Sequence, residues 1–164
     1  ALGVTWTLPE ERHTYSREYF LDVICKAMGG RVAEKIVFNQ LNSGAANDLE
    51  QATNIARRMV REWGMSDSVG PMAWHGQQQV FLGEDLMTSG REYSDATAKT
   101  MDDEIARILL EQEQRAHDLL MKHRKGLDLV AQALLEQETI DGPTVGRLIQ
   151  QGLDSPAASE TPVS

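Results

Sequence analysis

From Leu49 to Trp63 the apolar residues Leu49, Ala52, Ile55, Ala56, Met59, Val60 and Trp63 recur at spacings of three and four, with polar residues between them. That period matches the turn of an α-helix and puts one apolar stripe on one face. Such a helix needs other apolar faces to pack against, and the chain supplies them. Residues 16–38 carry Phe20, Val23, Ile24, Ala27, Ile36 and Val37 toward a core. Ser94 caps a long helix with Asp95 in its first turn and Met101, Ile105, Ile108, Leu109, Ala116, Leu119 and Leu120 on one stripe. Asp102, Asp103, Glu104, Glu111 and Glu113 then fall on its other side, where the ordinary reading is a solvated face. Gly126 breaks the pattern, and Leu127, Val130, Leu134 and Leu135 form a shorter helix. Asp141-Gly142-Pro143 starts a last helix that ends around Ile149. The predicted class is mainly α.

Two small β elements complete the expectation. Leu2-Gly3-Val4-Thr5-Trp6-Thr7-Leu8 is rich in β-branched and aromatic residues and stops at Pro9, which reads as an edge strand. Met72-Ala73-Trp74 and Val80-Phe81-Leu82, separated by a Gly- and Gln-rich stretch, read as a short hairpin. Gly29-Gly30 should interrupt the first helix, since each Gly costs about 1 kcal/mol against Ala in a helix interior. Such a pair suggests close approach of another backbone. From Gly152 onward Ser, Pro, Ala, Thr and Glu cannot bury a core, so the expected division is a domain at 1–150 and a disordered tail at 151–164.

Composition narrows the function. A chain of 164 residues, 41% hydrophobic, is long enough for one domain and has no apolar run long enough to span a membrane. Its net charge of −9 opposes nonspecific binding to nucleic acid. Cys25, the single cysteine, excludes an internal disulfide and reads as an inert buried thiol among Val23, Ile24 and Ala27. Two basic clusters, Arg57-Arg58 with Arg61 and residues 122–125, read first as solvated helix faces or ends.

The stretch Ser43-Gly44-Ala45-Ala46-Asn47-Asp48-Leu49-Glu50-Gln51-Ala52-Thr53 opens the Leu49–Trp63 helix. Either Ser43 or Asn47 can cap it, and Asn47 with Glu50 makes a plausible capping pair. Taken alone, Asp48 is a carboxylate that gains roughly 0.3–1 kcal/mol from the helix dipole and does nothing else.

That string, followed by Ala56-Arg57-Arg58-Met59-Val60 and Glu62-Trp63-Gly64-Met65-Ser66, closely resembles the peptidase domain of the FtsH-type membrane-bound, ATP-dependent zinc metalloproteases. Further matches fall in the family's order, among them Ala1-Leu2-Gly3-Val4-Thr5, Gly29-Gly30-Arg31 with Ala33-Glu34, Val69-Gly70-Pro71, Phe81-Leu82-Gly83 and Leu134-Leu135-Glu136. The resemblance implies a zinc ion held by two histidines of a His-Glu-x-x-His helix and by an aspartate whose motif places it at Asp48. It also implies that the strand at Leu2, Gly3, Val4 and Thr5 pairs with the peptide to be cut, as an edge strand can. Glu34 is another carboxylate near the implied site. It ranks below Asp48, because a mid-helix acid beside Lys35 suits a surface or supporting role better.

The chain departs from the family at the decisive point: no His-Glu-x-x-His occurs in it. His13, His75, His117 and His123 include no i,i+4 pair, and six residues separate the last two, about 240° around a helix. The expectation is a C-terminal piece of the protease, cut inside its peptidase domain, that carries one zinc ligand of three and is inactive alone. No phosphate-binding Gly-x-x-x-x-Gly-Lys-Ser/Thr loop occurs either, so the implied ATP is bound by a separate upstream domain. By the same resemblance the whole protein is a homo-hexamer that degrades unfolded and membrane proteins, anchored through upstream segments in the cell membrane with its peptidase domain on the cytoplasmic side, or in an organelle membrane. The rival reading is a non-catalytic helical oligomerisation or interaction module, which amphipathic helices and an incomplete catalytic set support in their own right.

Overall fold

The computed structural model describes residues 3–7, 14–41, 43–74 and 93–155. Among these residues the chain forms five α-helices: α1 (Arg17–Phe38), α2 (Ala46–Arg61), α3 (Asp95–Lys122), α4 (Arg124–Gln137) and α5 (Gly142–Asp154), with a 3-10 turn at Ser43–Ala45 leading into α2. The mainly helical class holds.

The core is a three-helix contact. Ile24, Met28 and Val32 of α1, Ala52, Ala56, Met59 and Val60 of α2, and Met101, Ile105, Ile108 and Ala116 of α3 are all buried in it. The small residues Ala52 and Ala56 are fully buried, as a close helix contact requires. Ile36 and Phe20 lie against this core, whereas Val37, at the end of α1, is exposed. Ion pairs join the helices at the surface: Arg31 to Glu113 at 3.3 Å, Asp22 to Arg115 at 2.7 Å, and Arg61 to Asp102 at 3.2 Å. Exposed pairs such as Asp22–Arg115 are worth about 0–1 kcal/mol each, and Arg31–Glu113 is half-buried.

α4 and α5 form a separate pair that packs mainly on itself and touches α3 lightly. The chain turns at His123, and Gly126 lies inside the first turn of α4 instead of breaking it from α3. Its role is packing. A Cβ at Gly126 would sit 2.9 Å from Ile149 Cα, and one at Gly152 would sit 2.8 Å from Gly126 Cα, so the two backbones cross in contact.

Two local expectations, the break in α1 and the end of α5, are corrected, and the two β elements are not confirmed. α1 runs unbroken through Gly29-Gly30, and a Cβ at either would meet nothing within 4 Å, so no backbone among the described residues approaches them. α5 continues to Asp154, beyond Ile149 and past the expected tail boundary, because Gly152 is held against α4. No strand occurs among the described residues: 3–7 and 72–74 are irregular, and Val4 and Trp6 are exposed. A strand exists only where a ladder partner completes it, and the described residues place none beside these segments. Leu2, the second arm of the expected hairpin, the loop at 83–92 and residues 156–164 lie outside the described residues. No helix among the described residues is long and apolar enough to cross a membrane.

Candidate metal centre

Asp48 stands in the first turn of α2, and its side chain is exposed. The local chain explains its position. The 3-10 turn brings Ala45 into the buried layer, α2 begins at once at Ala46, and Leu49 turns inward, which leaves Asp48 outward. Neither expected cap forms: the N-cap is Ala45, with no side-chain hydrogen bond. Ser43 is in the 3-10 turn and Asn47 is already inside the helix, so neither reaches the free N–H groups. No side chain caps the helix, and Asp48 is the acid in its first turn, where the positive end of the helix dipole favours a negative charge.

Glu34 is half-buried on α1, and its Oε2 is closed to solvent with no hydrogen-bond partner among the described residues. A buried carboxylate oxygen without a donor is costly and asks for a partner. The histidines do not supply a site. His117 lies on α3 with its Nδ1 3.5 Å from Asp118 Oδ1, His123 is the α3–α4 junction residue, and His13 and His75 fall outside the described residues.

Among the described residues no group of three or more His, Cys, Asp or Glu side chains could hold a metal ion. A stable zinc site with an open position for water takes three protein ligands. Asp48 fits the chemistry of one such donor, and the described residues do not complete the set. Cys25 is no candidate: it is buried, and burial pushes its thiol up, opposed by the nearby Arg115.

Sequence reasoning misses Glu104. Helical spacing sets it on the solvated acidic side, yet it is buried, 5% exposed. Glu104 accepts from Arg107 Nε and Nη2 at 2.8 and 2.7 Å, from Ser66 Oγ at 3.0 Å and from Ser68 Oγ at 3.4 Å. The hydrogen bond from Arg107, opposed by burial and helped by Ser66, holds its carboxyl below the usual range. A signal for this does exist in the sequence. Glu104 falls between Met101 and Ile105, at the edge of the buried stripe, with Arg107 three residues on to neutralise it.

Comparison with known proteins first assigns the class, that of the peptidases, since a peptidase family model matches residues 1–148. The family is Peptidase family M41, and this chain belongs to it. It is 59% identical over 157 residues to the ATP-dependent zinc metalloprotease FtsH of Acidimicrobium ferrooxidans, covering 95% of this chain and 24% of that protein. The proteins of the same name from Nitrosococcus oceani and Thermotoga maritima are 46% and 44% identical over 158 and 153 residues. These alignments cover 95% and 92% of this chain and 25% of each relative. The chain thus spans about a quarter of the length of these relatives.

Proposed function

We propose that this chain is part of an ATP-dependent zinc metalloendopeptidase and contributes one zinc ligand, Asp48, to a site completed by histidines outside it. The observation that carries the reading is the match to family M41 over residues 1–148, with relatives named as ATP-dependent zinc metalloproteases. The exposure of Asp48 in the first turn of α2 supports it as the donor, because an outward carboxylate is accessible to an incoming ion. Glu34, with its unpartnered oxygen, is suited to hold the N–H of a metal-bound histidine in place.

In this reading residues 1–150 belong to the peptidase part, and α5 carries its last helix on to Asp154. Leu2, Gly3, Val4 and Thr5 hold the backbone of an extended protein substrate. The exposure of Gly3, Val4 and Thr5 supports that role. ATP is bound by another domain, the assembly is a homo-hexamer, and the substrates are unfolded and membrane proteins. A membrane anchor elsewhere in the protein keeps the peptidase part on the cytoplasmic side. Alone, the chain cleaves nothing, for want of the remaining ligands and a general base.

The test is Asp48→Asn in the longer protein that carries the histidines. Proteolysis should fall to background while ATP hydrolysis stays within about twofold. Unchanged proteolysis would remove Asp48 from the site and favour the second reading, a helical assembly module. That reading has its own observation, the exposed apolar side chains of Leu134, Leu135 and Leu153 on the α4–α5 pair.

A further inference from the structure

The side of α2 that faces away from the core gathers three guanidiniums, in a chain whose net charge is −9. Arg57, Arg58 and Arg61 line a cleft of about 230 Å³ together with Asn54, Glu62 and Trp74. Glu62 is the one carboxylate in that lining, and Asp102 pairs with Arg61 from beside it, so three cations stand against two anions. Arg57 lies nine residues beyond Asp48, about 180° around the helix from it.

The arginines differ in how far they are satisfied. Arg58 Nε donates to Glu62 Oε2 at 3.1 Å, and its guanidinium lies 4.5 Å from the centroid of the Trp63 ring. Arg61 Nη2 donates to Asp102 Oδ1 at 3.2 Å. Arg57 has no carboxylate partner among the described residues, and its Nη1 reaches Asn54 Oδ1 only at 3.5 Å, the outer limit of a hydrogen bond.

Two more donors in the same wall have no acceptor among the described residues. Arg61 Nε and Trp74 Nε1 are closed to solvent and unpartnered. Both donors belong to side chains already fixed. Asp102 holds the far end of Arg61, and Tyr93 packs edge-on against the Trp74 ring with centroids 5.6 Å apart. The uncommitted charge of the cleft is therefore that of Arg57.

The planar guanidinium fork matches the paired oxygens of a carboxylate or phosphate. Size limits the ligand further: pockets for drug-sized molecules measure about 300–1,000 Å³, so this cleft suits one anionic group and not a whole nucleotide. We propose that the cleft is an oxyanion site that takes a single carboxylate or phosphate group. Arg57 and Arg58 form its outer fork, with Arg61 and the Trp74 ring as its inner wall. The proposal does not depend on the metal reading.

The test follows the indole N–H resonance of Trp74 in the purified chain by NMR, assigned with Trp74→Phe. Inorganic phosphate and acetate are titrated separately at matched ionic strength, with chloride as the reference salt. A saturable shift with phosphate alone identifies a phosphate group as the ligand, one with acetate alone identifies a carboxylate, and one with both identifies a general oxyanion site. Arg57→Gln, which breaks no ion pair among the described residues, should weaken the binding about tenfold, the loss expected for one charge-assisted hydrogen bond. Lys122→Gln makes the same change in net charge away from the cleft and should leave the binding unchanged. No saturable shift, an equal shift with chloride, or equal weakening by Lys122→Gln would overturn the proposal.

Discussion

Glu104 shows how one residue ties a loop to a helix. After α2 the chain turns at Gly64, where a φ of +60° and a Cβ position 3.3 Å from Pro71 Cα both favour glycine. Ser66 then presents its hydroxyl to Glu104, and the same oxygen accepts the N–H of Val69 at 3.3 Å. The carboxylate is the shared acceptor for both serines and for Arg107. Glu104→Gln keeps the shape, removes the charge and should cost about 1–3 kcal/mol, read from urea unfolding at neutral pH. The pH dependence follows from the direction of the shift. A carboxyl held below its unfolded value, about 4.3 for Glu, stabilises the fold above that pH, and the contribution fades as pH falls through the lower folded value. Between pH 7 and the acid range the wild-type chain should therefore lose more stability than Glu104→Gln; equal losses would mean that other carboxylates carry the effect. Neither the burial of Glu104 nor its partners in the loop follow from helical period, because the serines that complete the site are 36 and 38 residues away.

At the scale of elements, the glycines of two helices make opposite predictions. Gly30 is an exposed position inside α1 where an added Cβ would meet nothing within 4 Å, so only the entropic cost of glycine is at stake. Gly30→Ala should raise stability by about 0.5–1 kcal/mol, read from the urea midpoint. At Gly152 the same propensity gain is outweighed, since a methyl there would press on the backbone of Gly126 across the α4–α5 crossing. Gly152→Ala should cost about 1–3 kcal/mol net, with loss of amide exchange protection confined to α4 and α5. A neutral Gly152→Ala would show that the two helices shift apart at little cost. The existence of α1, α2 and α3 is legible from their stripes and from Ser16 and Ser94, both of which cap as helix N-termini do. The end of α5 is not legible, because Gly152 carries no apolar side chain and is held by contact with another backbone.

For the whole molecule, the expected zinc content is the first prediction. One exposed carboxylate without companion ligands binds zinc too weakly to survive dialysis against a modest chelator, so the purified chain should retain well under one zinc per chain by elemental analysis. A full equivalent would mean that residues outside those described, or a second copy, complete a site. Apolar period by itself determined the helical class and the three faces that meet in the core, because burial of a stripe is a local property of spacing. The string around Asp48 pointed to the family, since its order of residues is far more specific than any period. The tertiary structure decided what depends on partners distant in sequence: the burial of Glu104, the contact of α4 with α5, the irregular course of residues 3–7, and the gathering of Trp74 with the α2 arginines. Hydrogen bonds and close backbone crossings are made between segments that the sequence separates by tens of residues, and only folding brings them within reach.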